Sequence, residues 1–507
     1  MVDGAPLPTE RSGGADWSSL PVPIDDIERI EYVAGPKTAQ YGPYAASGVI
    51  NIITRRVSPE LWDKEKSTAS VSGGTQGYGR MSVSVNEQKG KDSYSAWFTY
   101  RDSNGFGHPT DPNGNKMVGE RNGDKNDGCL GGFSLNHVID KGRTIRLDTS
   151  IYQSTYEDVL TNTSNNHFDT DHRTIITRLL YKDEPSDDKS FEFSIIHQDK
   201  RYDFSSAPFG PLRTEVDEKF GNFQIQARHR RTDKKGRTLT FGANYEELTG
   251  SGVEYETKAK EDDFSIFGLV DIPVSERNTL LVGLNHYSSS VTGGDFTYNL
   301  SMLHKLSPGE VIRTGVGSGI RAPVMTPIHY HTLTLNIPVA PFTVDLIRGN
   351  ENLDNEQYKQ IDLGYERRWR KSSFKADLYW MKSDDRIRVR DEDPTANTQL
   401  RFYNEDDALV VKGGTLSYEK QITKKFKGYF AYRYTDSDWE NQFQGKYAPK
   451  HLFQANMTYK PNYHWSLNML ARSLSDYESS VVNDGGASEI NGYTTADLAI
   501  FSNTVVL

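Results

Sequence analysis

The feature that most constrains this chain is a ladder of short segments with a two-residue period, joined by connections that are alternately short and long. Leu239, Phe241, Ala243 and Tyr245 are separated by Thr240, Gly242 and Asn244, and Phe374, Ala376, Leu378 and Trp380 by Lys375, Asp377 and Tyr379. Side chains on a strand alternate between its faces, so each segment predicts a strand with an apolar environment on one side and a polar one on the other. The short connections are Lys89-Gly90-Lys91-Asp92, Asp140-Lys141-Gly142, Asp233-Lys234-Lys235-Gly236, Ser307-Pro308-Gly309 and Arg370-Lys371-Ser372. The long ones run from Asp102 to Asp127, Tyr202 to Glu218, Arg321 to Asn355, Lys382 to Asp407 and Ser473 to Asn491. Up-and-down membrane barrels have this alternation of turns and loops. A soluble propeller also has many short strands, but its repeats do not alternate connection length in this way. The ladder amounts to roughly twenty strands, the last from about Tyr493 to Phe501.

Composition supports a barrel and removes several alternatives. Mean hydropathy is -0.68 and no run approaches the ~18 apolar residues of a membrane-spanning helix, whereas barrel strands dilute their apolar face with a polar one. The 28 Tyr and 43 Gly suit strands, tight turns and aromatic girdles. Net charge is -10, the wrong sign for a nucleic-acid partner. Cys129 is the single cysteine and has no disulfide partner within the chain. The first residues lack a charged and then apolar leader, which points to a cytosolic protein or to a start that lies elsewhere.

Three linked submotifs precede the ladder: Ile27-Glu28-Arg29-Ile30-Glu31-Tyr32-Val33-Ala34-Gly35-Pro36, then Tyr41-Gly42, then Ser47-Gly48-Val49-Ile50-Asn51-Ile52-Ile53-Thr54. Gly35-Pro36 and Tyr41-Gly42 read as turns, and Val49 to Ile53 as a buried strand. In order, spacing and residue type they resemble the second half of the plug of TonB-dependent outer-membrane receptors. The character of the sequence changes after Arg55-Arg56-Val57-Ser58-Pro59, giving a plug part at 1–60 and a barrel at 61–507. A second resemblance lies in Arg321-Ala322-Pro323, followed by Gly349-Asn350-Glu351-Asn352-Leu353-Asp354-Asn355-Glu356, where Glu351 stands at a position that is often Pro in the family. Gly413 to Glu419 and Ala448-Pro449-Lys450-His451 also look like late strands of these barrels.

The resemblance implies an all-β fold, a large antiparallel transmembrane barrel with about 22 strands and the plug in its lumen. About 20 of those strands are legible here, so the chain reads as a fragment at both ends, with an open or imperfectly closed wall expected. By resemblance Arg29 and Glu31 face the wall and pair with its charges. Glu10, Arg11, Asp16 and Trp17 then belong to the plug loop turned toward the ligand, where Arg11 suits an anionic ferric chelate and Trp17 a flat aromatic group. His329 and His331 lie where haem receptors of the family place a His, and a neutral imidazole is a good axial ligand for iron. Asp111-Pro112-Asn113-Gly114-Asn115 has spaced oxygens but not the Gly and Glu of a calcium loop, and reads as a turn.

The expected function is import of a scarce ligand, foremost a ferric siderophore and alternatively haem or cobalamin. TonB and its inner-membrane complex would supply the energy, and the surroundings would be the lipid and lipopolysaccharide of a Gram-negative outer membrane. The residues offer no catalytic constellation and call for no cofactor. A passive porin or adhesin is the competing class, and the buried strand ahead of the barrel argues against it.

Overall fold

The computed structural model describes residues 1–7, 20–35, 38–46, 48–55, 67–105, 125–159, 167–209, 212–252, 258–329, 347–391, 400–438, 448–462, 464–483 and 486–502. The first elements are a 3-10 turn at Ile24–Asp26, β1 (Ile27–Ala34), α1 (Thr38–Tyr41) and β2 (Gly48–Thr54). The strands that follow are β3 (Ser67–Gly73), β4 (Gly79–Lys89), β5 (Asp92–Ser103), β6 (Asn126–Asp140), β7 (Arg143–Val159), β8 (His167–Ser186), β9 (Lys189–Phe209), β10 (Leu212–Thr232) and β11 (Thr238–Ser251). Next come β12 (Ala259–Pro273), β13 (Asn278–Ser289), β14 (Gly293–Ser307), β15 (Glu310–Arg321), α2 (Met325–His329), β16 (Ile347–Arg348), β17 (Glu356–Trp369) and β18 (Ser372–Asp384). The remainder are β19 (Arg386–Asp391), β20 (Leu400–Glu405), β21 (Leu409–Gln421), β22 (Phe426–Asp438), β23 (His451–Tyr459), β24 (Trp465–Leu474), β25 (Tyr477–Asn483), β26 (Gly486–Ile490) and β27 (Tyr493–Ser502).

Twenty of these strands form one closed barrel in which each is hydrogen-bonded to its sequence neighbours, with β27 beside β3. The open wall expected from the sequence is therefore corrected. Twenty is an even number, so the first and last strands run antiparallel and can satisfy each other's backbone groups, which are costly to leave unpaired in hydrocarbon. The remaining strands lie outside the wall. β16, β20 and β19 form a small sheet, and β25 pairs with β26. The stretches Lys382 to Asp407 and Ser473 to Asn491 thus carry strands of their own. Tyr202 to Glu218 is likewise largely strand, because β9 and β10 continue as a paired hairpin with Asp217 opposite Asp203. Their alternation is hard to read because hairpins beyond the bilayer have polar residues on both faces.

Within the wall the predicted faces hold. Leu239 and Phe241 are 44% and 50% exposed, while Gly242 is buried and Asn244 lines a cavity beside the plug. A Cβ at Gly242 would sit 2.6 Å from the Phe267 ring, so the inward position is filled from the neighbouring strand. Leu378 and Trp380 likewise face outward. An outward apolar face on a closed sheet cannot be a soluble core, and it matches the lipid-facing band of a transmembrane barrel.

Residues of the first segment pack inside this wall. β2 lies between β1 and residues 1–3: Val33 pairs with Val49 and Tyr32 with Ile50, while Ile52 donates to the Met1 carbonyl at 3.0 Å and Asp3 to the Ile52 carbonyl at 2.8 Å. Val49 and Ile52 are buried, as an interior strand requires. α1 abuts β12 to β15, where Thr38 Oγ1 accepts from the Ile320 amide at 3.3 Å and Tyr44 packs on Tyr287, Ile320 and Ala322.

Candidate functional site

The plug motif residues serve mainly as architecture. Gly35 has φ +80°, which strains any side chain there, and a Cβ would come within 2.4 Å of Gln360 Nε2 on the wall and displace that amide. Gly42 has φ +87° and turns the chain out of α1 just after Tyr41. Asn51, on β2 three residues after Gly48, accepts from the Gly4 amide at 3.2 Å and donates to Glu31 Oε2 at 3.3 Å, tying the first turn to β1. Pro36 lies outside the described residues.

Arg29 and Glu31 do not meet the wall as expected. Arg29 Nε lies 2.9 Å from Glu31 Oε1, with the two side chains 53% and 43% exposed, and its Nη1 reaches Glu28. Residues two apart share a strand face, so the pair closes on itself along the free edge of β1.

Among the described residues, the charged contacts to the wall come from Asp3 and Asp25. Asp3 is the main one. Its carboxylate accepts from the Thr54 amide at 2.8 Å and the Thr54 hydroxyl at 2.7 Å, and faces Arg146 Nη2 on β7 at 3.2 Å. Arg146 is also held by Asp148 at 2.8 Å, and Arg178 on β8 donates to the Asp3 carbonyl at 2.7 Å. Both Asp3 and Arg146 side chains are 7% exposed, so the pair is strongly coupled and each partner needs the other. A second tie joins Asp25 to Arg80 on β4 at 2.9 Å, with the Ser70 hydroxyl donating to the same carboxylate at 2.7 Å. Burial pushes the Asp25 carboxyl up, but the hydrogen bonds from Ser70 and Arg80 and the guanidinium charge outweigh it and hold the pKa below its ordinary value. Beside the Asp3 latch, plug and wall leave a cavity of about 470 Å3 lined by Asp3, Tyr41, Asn51, Arg146, Arg178 and Arg228 among others.

The second motif is a rim buttress. Arg321 and Glu356 are cross-strand partners in β15 and β17, and the guanidinium grips the carboxylate through two bonds, with Nε to Oε2 at 2.6 Å. Glu356 is 2% exposed and also accepts from Tyr358 and from the Ile387 amide, each at 2.8 Å. Arg386 of β19 pairs with buried Glu405 of β20. Asn350 donates to the Phe402 carbonyl at 3.0 Å and accepts from the Asn352 amide at 3.0 Å, while Ala322, Pro323 and Leu353 are buried. The motif thus bolts the outer sheet of β16, β20 and β19 to the barrel.

Glu10, Arg11, Asp16, Trp17, His331 and the Asp111 to Asn115 turn lie outside the described residues. His329 ends α2, with its Nε2 3.2 Å from Glu261 Oε1 and its side chain 18% exposed. That nitrogen approaches the carboxylate without the geometry of a hydrogen bond, and both atoms are buried. Met325 of the same helix packs on Tyr202, Phe220, Leu248 and Ala259. On the inner wall toward the long-loop end runs an aromatic row. Tyr152 meets His172 edge-on at 5.6 Å, His172 stacks on Tyr202 at 4.4 Å, and Tyr202 meets Phe220 at 6.2 Å. Arg101 donates to the Tyr152 hydroxyl at 2.8 Å. The alternation in β7 to β10 could have placed these residues inward, but only strand pairing places them side by side.

Comparison with known proteins gives concordant results. Residues 77–505 match the model of the TonB dependent receptor-like beta-barrel, and residues 1–49 that of the TonB-dependent receptor plug domain. The vitamin B12 transporter BtuB of Vibrio cholerae serotype O1 is 23% identical over 342 residues, covering 64% of this chain and 51% of the relative. The chain therefore spans about half the length of the curated relatives it matches. Among solved structures, the ferric enterobactin receptor PfeA of Pseudomonas aeruginosa (a double mutant) superposes with a TM-score of 0.79 at 15% identity, over 100% of this chain and 83% of that one. The siderophore receptor PirA of Acinetobacter baumannii gives 0.74 at 16%, over 94% and 79%. The copper transporter OprC gives 0.77 at 14%, over 100% and 82%.

Proposed function

Because this chain belongs to the TonB-dependent receptor family, we propose that it serves as an outer-membrane receptor that imports a ferric siderophore, driven by the inner-membrane TonB complex. The observation that carries this reading is a plug segment seated inside a closed barrel, its described contacts including the polar ties of Asp3 to Arg146 and Asp25 to Arg80 beside the packing of Tyr44 on the wall. Polar ties can be exchanged for water at modest cost, so the segment can shift without unfolding the wall, whereas an apolar interface of the same size would resist it. A passive porin has no use for a filled lumen. We take residues 1–60 as plug and 61–507 as barrel, in contact with outer-membrane lipid and lipopolysaccharide, and assign the protein no catalytic step.

For the ligand, support comes from the likeness to the ferric enterobactin receptor PfeA and the siderophore receptor PirA, while the Tyr152, His172, Tyr202 and Phe220 row is buried and stiffens the inner wall. Cobalamin is the second reading, favoured by the match to the vitamin B12 transporter. Haem is the third reading, with its candidate His329 largely buried beside Glu261. Titration of the full receptor with a ferric catecholate, cyanocobalamin and haemin separates the three. Tight binding of the ferric catecholate is expected. Tight binding of cyanocobalamin alone would move the assignment to the second reading.

A further inference from the structure

We propose that three adjacent hairpins at the short-turn end form a docking face for the headgroups of anionic phospholipids in the leaflet at that end. The hairpins are β17–β18, β21–β22 and β23–β24, and their turns are locked together: the Gln421 amide donates to the Lys371 carbonyl at 2.8 Å and the Lys460 amide to the Lys425 carbonyl at 2.7 Å. They present Arg370, Lys371, Lys420, Lys424, Lys425 and Lys460, all exposed and none in an ion pair among the described residues. In a chain of net charge -10 such a concentration of uncompensated cations needs an anionic counterpart.

The outward face beside these turns identifies which one. Trp369 is 46% exposed with the Arg367 guanidinium 5.0 Å above its ring, and Tyr418, Tyr459 and Trp465 are exposed to a similar degree. Amphipathic rings at this level belong at the boundary between hydrocarbon and headgroups, and cations just beyond them meet lipid phosphates. The inference rests on the barrel lying in a membrane with its short turns at the inner leaflet.

Native mass spectrometry of the full receptor, mildly delipidated and offered phosphatidylglycerol and phosphatidylethanolamine, tests it. The unmodified receptor is expected to retain phosphatidylglycerol preferentially, and the variant Arg370→Gln/Lys371→Gln/Lys424→Gln/Lys425→Gln to retain at least fivefold less. Lys234→Gln/Lys235→Gln, on another short turn, should leave retention unchanged, and millimolar inorganic phosphate should not release the lipid. Heat-modifiable migration checks that each variant folds, and Lys424→Gln/Lys425→Gln alone replaces the quadruple variant if that one does not. Equal retention by the variant, equal loss in the Lys234/Lys235 control, or occupation of the face by an acidic protein would overturn the proposal. If zwitterionic lipid alone is retained, the docking face fails while the membrane reading stands. A folded barrel that carries no lipid of either kind would overturn both.

Discussion

At the scale of single residues, the account rests on a few buried charges whose partners are known. Asp3 is the clearest. Replacing it with Ala leaves Arg146 with Asp148 alone and removes two hydrogen bonds from Thr54, a loss of about 2–3 kcal/mol in the attachment of the segment. The expected outcome is fast hydrogen exchange in β2 with the wall strands still protected, since the wall does not depend on this contact. Protection unchanged in β2 would show that the latch is not what holds it. Asp25 gives a pH dependence with a defined sign. Its carboxyl is lowered in the folded state, so the tie to Arg80 is present above the ordinary carboxylate range and lost as the pH falls through and below it. Exchange around Ile24–Asp26 should therefore rise on acidification, and Asp25→Asn should abolish that rise. Neither aspartate stood out in the sequence. Their importance comes from wall residues more than fifty positions away.

At the scale of elements, legibility followed the environment. Strands bounded by lipid and lumen, such as β11 and β18, were readable from their alternation, and so were the turns between β4 and β5 or β17 and β18. Beyond the bilayer the contrast disappears, which is why the β9–β10 hairpin and the outer sheet of β16, β20 and β19 were read as loop. The Arg321-Ala322-Pro323 motif was recognised for its position, yet its physical role needed the register that sets Arg321 opposite Glu356. Arg321→Ala should cost about 3–5 kcal/mol by stranding Glu356, and should release the outer sheet to limited proteolysis before the barrel melts. Resistance equal to that of the unmodified protein would contradict the buttress. On the outward face, Leu378→Arg should cost about 2–4 kcal/mol in urea unfolding from vesicles if the residue sits near the bilayer midplane. Asn244→Arg on the inner face should cost far less. Equal penalties would mean that the two faces do not differ as the sheet requires.

At the scale of the whole molecule, three properties combine: a wall closed by pairing β27 with β3, a lumen occupied by the segment that precedes it, and a rim held by charge pairs. Closure removes the sheet edges, as a bilayer demands. In the proposed reading, passage is conditional on moving the segment in the lumen, with work supplied from elsewhere. The aromatic row belongs to the same scale, because it forms only when four strands are brought together. The most direct measurement is uptake of a radiolabelled ferric siderophore by cells that carry the full receptor as their sole outer-membrane route. Saturable uptake that stops when the proton-motive force is collapsed is the predicted result. Uptake that rises linearly with concentration and survives the collapse would contradict energised import through this barrel.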